Sequence, residues 1–209
     1  MTNNVLQGFQ NVCDKETLQD NLTFIALYIC LYESFTDTVE SHVKSFLCNK
    51  VFLDNSGKPR YNQSKDYSEK IKKRPVDDKG NHDPLKATML WFVDCSAITQ
   101  EDYNLFLELK ELRNSFAHEI TNHVWKGLYE NHAKALLDLL NLYRKIEKWW
   151  INEIEIPIAG DEIPEGYDED AVTSGILFTF DMMINTLYND KSDEYLQIIR
   201  NIQNNDKRN

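Results

Sequence analysis

Three polar residues carry the densest chemistry in the chain: Arg113, Asn114 and His118, within Leu105 to Ile120, LFLELKELRNSFAHEI. A guanidinium binds anions as a fork, an amide both donates and accepts, and an imidazole moves protons near neutral pH. At about 100° per residue, Asn114 and His118 stand one helical turn apart on one face, with Arg113 flanking them. The opposite face carries Leu105, Leu109, Leu112, Phe116 and Ile120 at helical spacing, which is an apolar stripe for packing. A helix that served packing alone would need none of the three polar groups. From this chain's six Arg, twenty Asn and five His, Arg-Asn-x-x-x-His is expected roughly 0.014 times by chance. The pattern therefore stands above background.

Other constellations carry less. His118-Glu119 followed by His123 is one residue too long for a zinc-binding His-Glu-x-x-His helix, since i, i+5 positions do not share a face. His132 adds no ligand geometry, and His42 and His82 read as surface residues without partners. Cys13, Cys30, Cys48 and Cys95 lack metal-ligand spacing and are expected as buried free thiols. No glycine-rich phosphate loop is present. Neither a metal nor a cofactor is expected. Trp149-Trp150 reads as packing rather than as a platform for stacked bases.

The elements that must position the motif read as helices. Thr17 can cap a long helix to about Cys48, with Leu22, Ile25, Tyr28, Tyr32, Phe35, Val39, Val43 and Phe46 mostly three or four apart. Met1 to Asp14 is a loose start or a short helix. Val51 to Asp83 has no sustained period and contains Gly57, Pro59, Pro75 and Gly80, so it reads as an inserted loop with a short helix near Ser68 to Lys73. Pro84 opens a helix to about Ser96. Thr99 and Asp102 form a capping box for the motif helix, which is expected to reach Asn122. Gly127 ends it, and a fourth helix follows from Leu128 to Asn152. Pro157, Gly160, Pro164 and Gly166 then mark a linker, followed by helices near 170–188 and 192–203. The fold class is all-α: a helical bundle over 15–152 with a basic insert at 51–83, an acidic linker at 153–169, and a helical appendage at 170–204 packed on the bundle.

The net charge of −11 repels nucleic acid overall, but it is unevenly spread. Lys58, Arg60, Lys65, Lys70, Lys72, Lys73 and Arg74 cluster against only Asp66 and Glu69, whereas Glu153 to Asp170 holds eight carboxylates and no Lys or Arg. Each run is either a solvated loop or a contact surface, the first for phosphate and the second for a basic partner. The longest wholly apolar run, Phe24 to Tyr32, is short of the roughly 20 residues of a membrane span. A soluble, cytoplasmic protein is expected.

Leu112-Arg113-Asn114, then Ala117-His118, resembles the signature of the HEPN (higher eukaryotes and prokaryotes nucleotide-binding) helical bundles: Arg, a polar residue, three others, His. The resemblance implies a metal-independent endoribonuclease acting as a homodimer, with two motif helices facing across one cleft. By that resemblance His118 is the general acid or base on the ribose 2′-OH or the leaving 5′-oxygen. Arg113 neutralises the scissile phosphate, and Asn114 orients His118 or bonds the phosphate. The products would be a 2′,3′-cyclic phosphate and a 5′-OH. Such proteins serve as bacterial toxins or phage-defence effectors in abortive infection. In the toxin branch paired with a nucleotidyltransferase antitoxin, a tyrosine commonly stands two residues after the histidine. Here that position is Ile120, which departs from the pattern. Lys58, Arg60, Lys70, Lys72, Lys73 and Arg74 would guide RNA. Leu107, near the His118 face, would join Asn114 and His118 at the dimer interface. Glu108 and Glu111 either tune His118 or face solvent. The alternative is a non-catalytic HEPN-like interaction or dimerisation module that binds a partner such as a nucleotidyltransferase, with Arg113 paired to a carboxylate such as Glu111 or Asp138.

Overall fold

One helix of 33 residues, α2 (Lys15–Leu47), is the spine against which the other elements pack. In the computed structural model, which describes all residues except 1, 58, 161, 162, 164, 165 and 190–209, it starts earlier than Thr17. Asp14 is the cap: its carboxylate accepts from the Thr17 N–H at 2.8 Å. That satisfies one of the amides a helix start leaves open. Phe24, Ile25, Leu27, Tyr28, Leu31, Tyr32, Phe35, Val39 and Val43 are buried, so the middle of α2 is covered on more than one side. Leu22 and Phe46, expected in the stripe, are exposed. By length and a mean hydropathy of 1.2, α2 could cross a membrane, yet half of that stretch is buried within the fold.

The start of the chain is a full helix, α1 (Thr2–Cys13). It packs through Gly8, where an added Cβ would lie 2.1 Å from the Trp125 indole, so only glycine permits the approach. Asn11 beside it donates from Nδ2 to the Trp125 carbonyl at 2.9 Å.

The expected loop over 51–83 is largely structured. Strands β1 (Lys50–Leu53) and β2 (Pro59–Asn62) form an antiparallel hairpin with Val51 opposite Tyr61 and Phe52 opposite Arg60. A helical turn α3 (Lys65–Tyr67) runs into a π-turn at Ser68–Lys72, held to the core by Tyr67 and Ile71. The strands are four residues long and Val51, Phe52 and Leu53 are all exposed. No buried-face alternation exists for a sequence pattern to report.

Helix α4 (Pro84–Asp94) opens on Pro84 behind an Asp83 cap. Helix α5 (Gln100–His118) carries the expected Thr99–Asp102 capping box. It stops at His118 rather than reaching Asn122, and α6 (Ile120–Lys126) starts after a break at Glu119 (φ −123°, ψ 29°). Helix α7 (Glu130–Trp150) buries Leu136, Leu139, Leu142, Tyr143, Ile146 and Trp150 against α2 and α5.

The linker expected from 153 is helical over its first part. A π-turn at Ile151–Glu155 leads into α8 (Ile156–Ala159). Pro157 explains the widened turn: it has no N–H, and its ring clashes with the carbonyl four residues back in a regular helix. Helix α9 (Gly175–Tyr188) lies on α7, burying Leu177 and Phe180 and pairing Asp181 with Arg144. The helix expected at 192–203 lies outside the described residues. The fold is all-α, and among the described residues its only sheet is the hairpin.

Candidate functional site

The motif helix runs antiparallel to the spine. Phe106 packs beside Tyr32 and Phe35, and Phe116 packs edge-on to Phe24 and Tyr28. The buried Tyr28 hydroxyl donates to the Leu109 carbonyl at 3.0 Å. Burial pushes the Tyr28 pKa well up, so it stays a neutral donor. The face in contact is Tyr103, Phe106, Leu109 and Phe116. This corrects the expected stripe. Leu105 and Leu112 are half-buried at its flanks, and Ile120 stands exposed on α6.

Three consecutive motif residues are each held differently. Arg113 reaches back to the spine. Its Nε donates to Glu33 Oε1 at 2.6 Å, its Nη2 donates to the same oxygen, and Nη1 donates to Asn114 Oδ1 at 3.3 Å. The guanidinium carbon lies 5.9 Å from the Tyr32 ring centre, within cation–π range. The carboxylate partner is therefore Glu33, not Glu111 or Asp138. Tyr32 Oη is buried with no hydrogen-bond partner among the described residues, and burial raises its pKa despite the nearby Arg113 charge.

Ser115 is held on another side: Ser115 Oγ and His123 Nε2 are 2.8 Å apart. His123 and His132 sit with ring centres 5.8 Å apart, both against Phe116. His132 Nδ1 accepts from the Tyr129 N–H at 2.9 Å. Burial lowers both histidine pKa values. Glu119 opposes the shift at His123 and Lys126 adds to it, while His123 adds to it at His132. Sequence spacing hid this cluster, because it forms across the break at Glu119 and the turn at Gly127 instead of along one helix.

Asn114 is half-buried, and His118 is exposed with no hydrogen bond or ion pair to any described residue. Glu108 and Glu111 are exposed and make no hydrogen bond to His118. Leu107 differs from expectation: it is partly buried and packs against the core, leaving less apolar surface for a partner than a solvent-facing leucine would. Ile120, two residues beyond His118, is 41% exposed instead.

The basic cluster is placed elsewhere. Ser64 donates to the Leu47 carbonyl, fixing this segment at the far end of α2, while the motif's Phe116 meets Phe24. Phe24 to Leu47 spans about 35 Å of helix axis at about 1.5 Å per residue. Within the cluster Arg60 pairs with Asp54, Lys70 with Asp66, and Arg74 with both oxygens of Asp94. Lys72 and Lys73 are exposed and have no ion pair among the described residues. Lys58 lies outside the described residues.

Three further expectations are corrected. Cys13 and Cys30 are exposed, and Cys48 and Cys95 only partly buried. His42 is not a free surface residue: it bonds Glu147 and stacks on Trp150. His82 also has a partner, its Nδ1 standing 3.1 Å from the Arg74 carbonyl oxygen. Among the described residues no three His, Cys, Asp or Glu side chains converge as a metal site.

Comparison with models of known protein families, with curated proteins and with solved structures finds no match to this chain.

Proposed function

We propose that the chain is a HEPN-like endoribonuclease that cuts RNA by internal 2′-OH attack, with His118 as the proton-transfer group. One observation carries this reading. His118 is an exposed imidazole without a partner among the described residues, one helical turn from an amide that already touches a guanidinium. A proton-transfer group must be reachable by substrate, and an anion clamp must be near it. The step needs no nucleophile from the protein. The 2′-oxygen attacks its own phosphorus, the 5′-oxygen leaves, and protons pass through imidazole. A second copy facing the exposed His118–Ile120 end would place two such histidines across one cleft. The setting of a toxin or phage-defence effector follows from the motif resemblance.

The non-catalytic module is favoured by a different observation. Glu33 already occupies Nε and Nη2 of Arg113, leaving less of the fork for a phosphate. In that reading the acidic surface after α7 or the motif face binds a partner protein such as a nucleotidyltransferase.

Purified protein incubated with end-labelled tRNA and mRNA in EDTA, beside His118→Ala of matched folding, separates the two. Cutting by the natural chain alone, leaving cyclic phosphate ends, supports the nuclease. Equal cutting by both removes His118 from the chemistry. No cutting by either, in the presence of a bound partner, supports the module.

A further inference from the structure

At the other end of the spine from the motif, α2, α7, the π-turn and α8 enclose an open cavity of about 530 Å³. It is lined by His42, Ser45, Phe46, Trp150, Ile154, Glu155, Ile158 and Ala159. The π-turn matters to its shape. The extra residue accommodated before Pro157 swings Ile154 and Glu155 out of the register of α7, and such turns recur at functional sites.

The polar groups in this wall turn their hydrogen bonds inward. His42 Nε2 stands 2.6 Å from Oε1 of the buried Glu147, so this nitrogen is spent there. The ring is fixed by stacking on Trp150, with centres 4.2 Å apart and planes 9° from parallel. Ser45 Oγ donates to the His42 carbonyl at 2.8 Å. Trp150 Nε1 donates to Glu155 Oε1 at 3.0 Å. What remains is acceptor capacity: the lone pairs of Ser45 Oγ, and Glu155 Oε2, neither with a partner among the described residues. Among the described residues no Lys or Arg lines the cavity, and Phe46, Ile154 and Ile158 make the rest of it apolar.

A site with two free acceptor groups, one negative charge and apolar walls is complementary to one kind of head group. A primary ammonium supplies three N–H donors and a positive charge, and accepts nothing. We propose that this cavity binds a small primary alkyl- or arylammonium ion, its cation on Glu155 and Ser45 and its hydrocarbon against Phe46, Ile154 and Ile158. The site is independent of the ribonuclease reading.

The test is a titration of the full chain with n-hexylammonium, hexanol and hexanoate, followed at the assigned indole N–H resonance of Trp150. Hexylammonium should shift that resonance saturably, and hexanoate should bind at least tenfold more weakly. Glu155→Gln, at an exposed position, should weaken hexylammonium binding about tenfold, as expected for a hydrogen bond to a charged group. Ser45→Ala, also exposed, should weaken it less. The proposal is overturned if hexanol matches hexylammonium, if Glu155→Gln leaves the affinity unchanged, or if no saturable shift occurs at Trp150.

Discussion

Replacing Glu33 by Gln asks what the Arg113 guanidinium is held for. Glu33 Oε1 takes both Nε and Nη2, and the two side chains are 46% and 29% exposed. At that exposure the pair is screened by water, and its loss should cost no more than about 1 kcal/mol of stability. For a chain of this length the melting temperature should fall by about 2–4 °C. RNA binding should move the other way. A phosphate on the open side of the guanidinium would sit on the order of 5 Å from the Glu33 charge. Removing that charge relieves about 1 kcal/mol of repulsion in a watery site, roughly fivefold in affinity. Glu33→Gln should therefore bind labelled RNA about fivefold more tightly, measured by fluorescence anisotropy in EDTA on a His118→Ala background so that the RNA stays whole. Weaker binding with an unchanged melt would refute the competition and make Glu33 a positioning residue that presents Arg113. Unchanged binding would remove Arg113 from RNA contact and favour the module.

The histidine pair sets a pH dependence. His123 and His132 both have pKa values lowered by burial, so below about pH 6.5 the unfolded chain binds more protons than the folded one. Stability should be full above that pH and fall as the pH drops through the folded values, in a series of melts from pH 8 to 5. His132→Asn, which keeps an acceptor for the Tyr129 N–H, should flatten that slope. Phe116→Ala, at a fully buried site touching Phe24, Tyr28 and both histidines, should destabilise by about 3–5 kcal/mol in urea unfolding. Lys72→Glu with Lys73→Glu should leave cleavage of a tetranucleotide unchanged, since Ser64, which starts this segment, sits on Leu47, about 20 Å along α2 from the Glu33 that holds Arg113. The same change should weaken binding of tRNA and flatten its salt dependence if this basic segment meets RNA.

The helices were legible where burial has a period. The spine, the Pro84 start, the Thr99–Asp102 cap and the inner face of α7 all follow from spacing and capping chemistry. The hairpin was not legible, because Val51, Phe52 and Leu53 are all exposed and leave no alternation. The stripe of α5 was placed in part: Leu109 and Phe116 are buried as expected. Leu105 and Leu112 are only half-buried, because the spine presents Tyr32 and Phe35 and takes Phe106 in their place, stacked on Tyr32, with Phe116 edge-on to Tyr28. Pro157 was read as a stop, whereas the chain absorbs it with a π-turn and continues one more turn. His42 and Glu147 are 105 residues apart, and no local pattern links such a pair.

The break at Glu119 connects these misses to the site. Had α5 run on to Asn122, His118 would lie mid-helix and Ile120 would extend the packed face. Instead the helix ends on His118, and the chain turns so that His123 comes back to Ser115. Within RNSFAH, Arg113 is then fastened to the spine by Glu33, Ser115 to α6 by His123, and Phe116 to the core. Those anchors fix the backbone of the last turn on several sides. Asn114 and His118 are the polar motif residues left for something outside the chain, with Asn114 in contact with Arg113 and His118 open. A site that must hold an imidazole within hydrogen-bond reach of a reacting oxygen needs that division between anchored neighbours and one free group. Ser115→Ala therefore offers a sharper probe than any change at the exposed residues. It removes the α5–α6 tether without touching Arg113, Asn114 or His118. On the ribonuclease reading it should lower kcat about tenfold or more while leaving RNA affinity within a factor of about two, because misplacement of a catalytic group is felt in the transition state. If kcat stays at its natural value with the tether gone, the anchoring of the last turn has no bearing on His118.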